Sequence, residues 1–157
     1  MYDSELDTVK HQVEVRDNLV KVVKNLLHRG YMHDNSKLQE PEKNIFNEYT
    51  PKLKDSTYGS DEYKEFLKGM KVALDHHYAN NPHHPEHFQG YPDDRCGLTG
   101  MTLMDVVEMF CDWLAATKRH ADGDILKSID INKKRFGYSE EMRCILQNTA
   151  DAFGGLT

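Results

Sequence analysis

The sequence predicts an all-α protein, a single compact bundle of five to six helices with one long histidine-rich loop. Three observations carry this. Apolar residues recur at spacings of three and four through most of the chain, and no stretch alternates with the period of two that a half-buried strand requires. Breakers do not fall at the short regular intervals that separate strands; Pro, Gly and Asn gather instead in one segment, 80–100. The 157 residues suit one domain, 1–157, with a real core.

Residues from about 4 to 29 are expected to form one long helix. Leu6, Val9, Val13, Val20, Val23 and Leu27 share a face, and Gly30 is a suitable stop. His11 sits at the edge of that face, in line with Val15, Leu19 and Val22. It is either a half-buried histidine with a backbone partner or a metal ligand delivered by this helix. After a two-residue turn comes Met32 to Leu38, MHDNSKL. His33-Asp34 puts an imidazole nitrogen beside a carboxylate oxygen, ligand types that suit zinc, manganese or iron, and magnesium where carboxylates dominate. Lys37 follows three residues later, so a helical turn there brings its ammonium to the same side, where a phosphate needs a cation.

A short helix starts near Pro41, which a first helical position tolerates, and ends near Thr50-Pro51. KDSTYGS is a polar loop. Ser60-Asp61 caps a third helix running to about Asn80, with Tyr63, Leu67, Met70, Leu74 and His77 on its buried face. His76 lies about 100° around that helix. Pro82 ends it and opens the irregular segment holding His83, His84 and His87. Five of the nine histidines therefore fall within twelve residues, in the kind of long loop that is often functional.

The next helix, about Thr102 to His120, has Leu103, Val106, Val107, Phe110, Leu114 and Ala115 as its apolar residues. Asp105, Glu108 and Asp112 follow each other at three and four, on one face. A solvated acidic stripe is the plain alternative, above all for Asp105. Asp112 sits among Cys111, Trp113 and Leu114, where an unpaired carboxylate is costly, so it needs a metal or Lys118 or Arg119. Beyond the loop at Ala121 to Gly123, DILKSIDINKKRF forms a helix. A last one, capped by Ser139 with Glu140 and Glu141 in its first turn, runs to about Phe153 and stops at Gly154-Gly155.

Composition narrows the function. A net charge of -6 with 38% hydrophobic and 29% charged residues is that of a soluble globule and argues against a nucleic-acid scaffold, which would show a basic face. No run of about 18 apolar residues could span a membrane. The acidic start MYDSELD lacks the features of a signal peptide. Cys96, Cys111 and Cys144 form no CxxC and are expected to be reduced thiols used in packing, in a cytoplasmic protein.

A histidine on the first helix, His-Asp one helix later, histidines ending a third and an aspartate on a fourth resemble the HD-domain metal phosphohydrolases. The resemblance implies His11, His33, Asp34 and Asp112 as ligands. EMFCDWLAA around Asp112 is similar to that family's closing segment, and HDNSK to its HDxxK form, in which the lysine faces the phosphate. His83 and His84 before Gly90-Tyr91-Pro92, with His77 upstream, are similar to the HD-GYP branch at a shorter spacing. HDxSK, HxxxNxHHPEH and EMxxDW together resemble a family of short histidine-rich helical proteins common in phages and bacteria, from about His11 to Arg135. That likeness implies no activity.

The chemistry expected from these residues is metal-assisted hydrolysis. Two imidazoles and two carboxylates leave room on a divalent ion (manganese, zinc, cobalt, iron or magnesium) for a phosphate oxygen and a water whose pKa drops toward neutrality, giving hydroxide as nucleophile. Asp34 could bridge to a second ion, held by His77 with His83 or His84 and with His87 close by. Two such ions would stand about 3.5–4 Å apart. Lys37 would neutralise phosphate charge, and Glu108 would orient a water or a ligand histidine. The expected function is a phosphohydrolase that cleaves a phosphate ester of a small nucleotide, with Lys37, Glu108 and Asp34 catalytic. The alternatives are a phosphodiesterase of a cyclic or dinucleotide signal and a metal-binding protein without catalysis. Lys127, Asn132, Lys133 and Arg135 either contact substrate or form a solvated face. The sequence leaves a homodimer open.

Overall fold

The computed structural model describes residues 2, 4–56, 60–90, 97–118 and 123–154. Gly59, Tyr91 and Pro92 of the GYP segment, Cys96, Arg119, His120 and Gly155 lie outside them. All regular structure among the described residues is helical, in seven α-helices rather than five or six. Contacts divide the chain into two compact units, Met1–His33 and Asp34–Thr157.

The first unit is one helix, α1 (Ser4–Met32). Glu5 and Asp7 in its first turn and Arg29 in its last oppose the helix dipole with the favourable signs. It runs through Gly30, the expected stop. One glycine costs a helix only about 1 kcal/mol, which the rest of a long helix absorbs. The helical path is left at Asp34, where φ is 56°. This left-handed conformation is strained for most residues and tolerated by aspartate.

The second unit begins with a 3-10 turn, Asn35–Leu38, followed by α2 (Glu42–Asp55). Pro51 lies inside α2 and does not end it. The missing N–H costs one bond near the end of the helix, and the chain completes one further turn before Ser56 closes it with a bond to Leu53. The third expected helix is two, α3 (Asp61–Gly69) and α4 (Lys71–Asn80), meeting at the buried Met70. The break follows from Gly69, a poor helix former packed so tightly that a Cβ there would meet the Tyr49 hydroxyl at 2.4 Å. Across the break the stripe survives, with Met70 and His77 each 2% exposed.

Two short 3-10 turns follow, Pro85–Phe88, which includes His87, and Gly97–Gly100, ahead of α5 (Leu103–Thr117). Then come α6 (Ile125–Phe136), capped by Asp124 and closed by Gly137 at φ 67°, and α7 (Glu140–Gly154). One core holds these three helices together: Val106, Met109 and Phe110 of α5 meet Ile129 of α6, Tyr138, and Leu146 and Ala150 of α7. Cys111 and Cys144 are exposed and do not pack as expected. Each lies one or two positions from a core residue, Phe110 or Leu146, and the helical rotation turns it outward. Asp105 is no part of a solvated stripe either. It is 4% exposed and closes a capping box with Thr102, whose backbone N–H and hydroxyl both donate to its carboxylate.

Candidate metal centre

Three pieces of the second unit converge on Asp34. Its own backbone oxygen accepts from Lys37 N at 2.9 Å, which closes the 3-10 turn behind it. His77 comes from the last turn of α4. His83 and His84 follow Pro82, and His84 N is anchored to the Asn81 carbonyl at 3.0 Å. Asn81 joins the pieces: its side-chain NH2 donates to the His77 carbonyl at 2.7 Å and to Ser36 Oγ at 2.8 Å. The histidine segment therefore folds back onto Asp34 rather than away from it.

The result is a four-residue group, Asp34, His77, His83 and His84, whose ligand atoms all lie within 4.8 Å of one another. Asp34 Oδ1 is 3.3 Å from His77 Nε2 and 3.4 Å from His83 Nε2, and His77 Nε2 is 3.0 Å from His84 Nε2. The other oxygen, Oδ2, takes the ammonium of Lys37 at 2.6 Å. Behind two of the imidazoles stand further carboxylates. Glu42 Oε2 is 2.9 Å from His77 Nδ1, and Glu108 Oε1 is 3.2 Å from His83 Nδ1. A ligand histidine whose outer nitrogen faces a carboxylate is held in one tautomer with its inner lone pair toward the ion.

Electrostatics point the same way. Burial would raise the Asp34 carboxyl, but hydrogen bonds from His77, His83 and Lys37 outweigh it and hold it below the usual carboxylate range. Burial, with the neighbouring charges of His83 and His77, pushes His84 down to about 3, so its imidazole is neutral near pH 7. Asp34, Glu42 and Glu108 bring carboxylates, and Lys37 an ammonium, to the nitrogen donors. Three nitrogens and one oxygen form a donor set that zinc, iron and manganese accept. The residues present fit a divalent ion.

A cavity of about 600 Å³ opens beside this group, bounded by His84, Asp112 and Trp113 on one side and by Lys127, Asn132 and Arg135 of α6 on the other. Asp112 thus borders the cavity, near enough to His84 for its charge to be felt there. Arg135 is held by Glu86 at 2.5 Å. His87 is not one of the four; its Nδ1 donates to the Tyr78 carbonyl at 2.8 Å. His11 is an exposed residue of α1, in the first unit, and His33 is half-buried at the end of that unit, immediately before Asp34. Asn81 is the asparagine of HxxxNxHHPEH, whereas Glu42 carried no signal in the sequence. Glu42 is one glutamate in LQEPEK, and only its fully buried position marks it.

Fold and site together define an all-α protein with a buried histidine–carboxylate group able to hold a metal ion. The chain belongs to the family of unknown function DUF5662, whose family model matches residues 1–152. No curated protein and no solved structure matches it. No helix among the described residues is long and apolar enough to cross a membrane.

Proposed function

We propose that the protein is a metal-dependent phosphohydrolase acting on a phosphate ester of a small nucleotide. The observation that carries this reading is the Asp34, His77, His83, His84 group, whose His84 lines a cavity large enough for a small molecule. Those four residues would hold the ion, and a divalent ion supplies Lewis acidity and an acidified water. The chain's own residues supply the rest. Glu42 and Glu108 orient His77 and His83 through their Nδ1 atoms. Lys37 stands 2.6 Å from Asp34, and its ammonium would share its charge with a phosphoryl oxygen bound at the ion. Trp113 and Tyr78 give the cavity aromatic surface for a base, and Lys127 and Arg135 give it cations. The HD-domain likeness of HDNSK and EMFCDWLAA supports the same reaction class.

The test is direct. Full-length protein is purified, its metal content measured, and phosphate release followed with mono- and triphosphates of each nucleoside in added manganese, zinc, cobalt, iron or magnesium. Turnover that is lost on chelation and restored by one ion supports the reading. Bound metal without release from any nucleotide, and without opening of a cyclic dinucleotide, would overturn it in favour of metal binding without catalysis.

A further inference from the structure

Glu42 is the largest anomaly among the described residues, a carboxylate with 0% exposure at the start of a helix. Burying such a group without partners is prohibitive. It has two, one on each oxygen: His76 Nδ1 at 2.7 Å on Oε1 and His77 Nδ1 at 2.9 Å on Oε2. The first turn of α2 adds a favourable field from the helix dipole.

We infer that Glu42 is the positioning residue of the metal centre, a two-armed carboxylate that fixes His77 with its proton on Nδ1 and its lone pair on Nε2. This rests on the metal-binding reading of the site. Three groups approach His77 Nδ1: Glu42 Oε2 at 2.9 Å, Asn81 Nδ2 at 3.1 Å and Ser36 Oγ at 3.3 Å. The Asn81 amide has two hydrogens, and both are used, by the His77 carbonyl and by Ser36 Oγ. A carboxylate can only accept. Once Nε2 serves an ion, the proton left on the ring sits on Nδ1 in the bond with Glu42, the shortest of the three contacts, and Nε2, which otherwise hydrogen-bonds Asp34 Oδ1, faces Asp34 Oδ1 and His84 Nε2 as a donor of electrons. The second arm gives the arrangement its stiffness. With His76, which is half-exposed, gripping Oε1, the carboxylate plane cannot swing away from His77.

Glu42→Gln tests this, because an amide can accept on one side only and must present N–H to the other imidazole. Zinc affinity is measured by chelator competition on the full chain, together with the visible spectrum of the cobalt-loaded protein and the ¹⁵N signals of the histidine rings with zinc bound. The expected result is affinity lowered about 10–100-fold, as for other carboxylates behind a ligand histidine. The cobalt spectrum should change, and the His77 proton should no longer be confined to Nδ1. His76→Gln keeps the His77 arm and should stay within about threefold of wild type, since only the stiffening bond goes. Apo-protein melting of both variants checks that the fold is kept. Should Glu42→Gln fold and bind zinc as tightly as wild type, with an unchanged cobalt spectrum, the positioning role is wrong. Wild-type protein that binds neither zinc nor cobalt would instead remove the metal reading itself.

Discussion

Nε2 of His77 and Nε2 of His84 face each other at 3.0 Å. Two imidazole lone pairs that close repel unless a proton or a cation lies between them, and His84, pushed down to about 3, carries no charge near neutral pH. A proton on one of the two rings resolves that opposition, and so would a metal ion, for which Asp34 Oδ1 and His83 Nε2 stand in the same enclosure.

His84→Ala should therefore lose metal rather than merely weaken turnover. Removing one of four ligands is expected to lower zinc affinity by more than the 10–100-fold that loss of an outer carboxylate costs. His87→Ala, whose ring is tied to Tyr78, should retain it. Metal analysis after dialysis against a weak chelator separates the two. Equal loss in both variants would mean that the four-residue group is drawn wrongly.

Asp105 and Glu108 sit one turn apart on α5 and should behave differently on substitution. Glu108 faces His83 Nδ1 at 3.2 Å, so Glu108→Gln should weaken metal affinity about 10–100-fold with little change in apo stability. Asp105 is the third residue of the helix and closes the capping box of Thr102, so Asp105→Ala should lower stability by about 0.5–2 kcal/mol and leave metal affinity alone. Denaturant titration and zinc competition on the two variants give a crossed pattern. A metal defect in Asp105→Ala would break it.

Much of this arrangement was legible in the sequence, and the limits have physical causes. The helices were legible because apolar residues recur in each at its own period, in α1 even though Leu6, Val9, Val23 and Leu27 stay exposed, and His77 could be placed on the buried side of α4 from Tyr63, Leu67, Met70 and Leu74. The break at Gly69 was not, because one glycine costs a helix only about 1 kcal/mol, which α1 absorbs at Gly30, and its close approach to Tyr49 of another helix has no local pattern. His83 and His84 were legible as candidates from density alone. That they join Asp34 depends on Asn81 tying α4 to the 3-10 turn, a tertiary bond with no local pattern. Glu42 was missed for the same reason, since a buried carboxylate becomes recognisable only once its two imidazoles, 34 and 35 residues away, are beside it. Asp105 shares the spacing of an acidic face with Glu108 and Asp112, although Thr102 three residues before it spells a capping box.

Stability should be separable from the site. Tyr138 is 7% exposed and its hydroxyl donates to the Ile129 carbonyl at 2.5 Å, within the core of α5, α6 and α7. Burial, and then the charge of Asp130, pushes the phenol up to about 12. Tyr138→Phe keeps the ring and removes the bond, at a cost of about 0.5–1.5 kcal/mol. At about 2–4 °C per kcal/mol for a chain of this size, that corresponds to a fall in Tm of roughly 1–6 °C. Calorimetry of the apo protein reads it, and zinc affinity should not move. An unchanged Tm would show that the hydroxyl bond contributes nothing net.

Lys37 divides the work of Asp34. Its ammonium holds Oδ2 at 2.6 Å, while Oδ1 faces His77 and His83, and the lysine also lies 5.1 Å over the Phe46 ring. Because it touches the oxygen that the imidazoles do not, Lys37→Ala should leave metal content at the wild-type level. What it removes is a cation where a phosphoryl group would arrive. A hydrogen bond to a charged group contributes about 1.5–3 kcal/mol, so kcat/KM for a phosphate ester should fall roughly 10–100-fold. Inorganic phosphate should inhibit the variant less than it inhibits wild type. Lys37→Arg keeps the charge on a longer, forked group and should recover part of the loss. Metal analysis and phosphate-release kinetics on the same preparations decide the matter. Metal lost together with the lysine would make Lys37 a clamp on Asp34 instead of a partner of substrate.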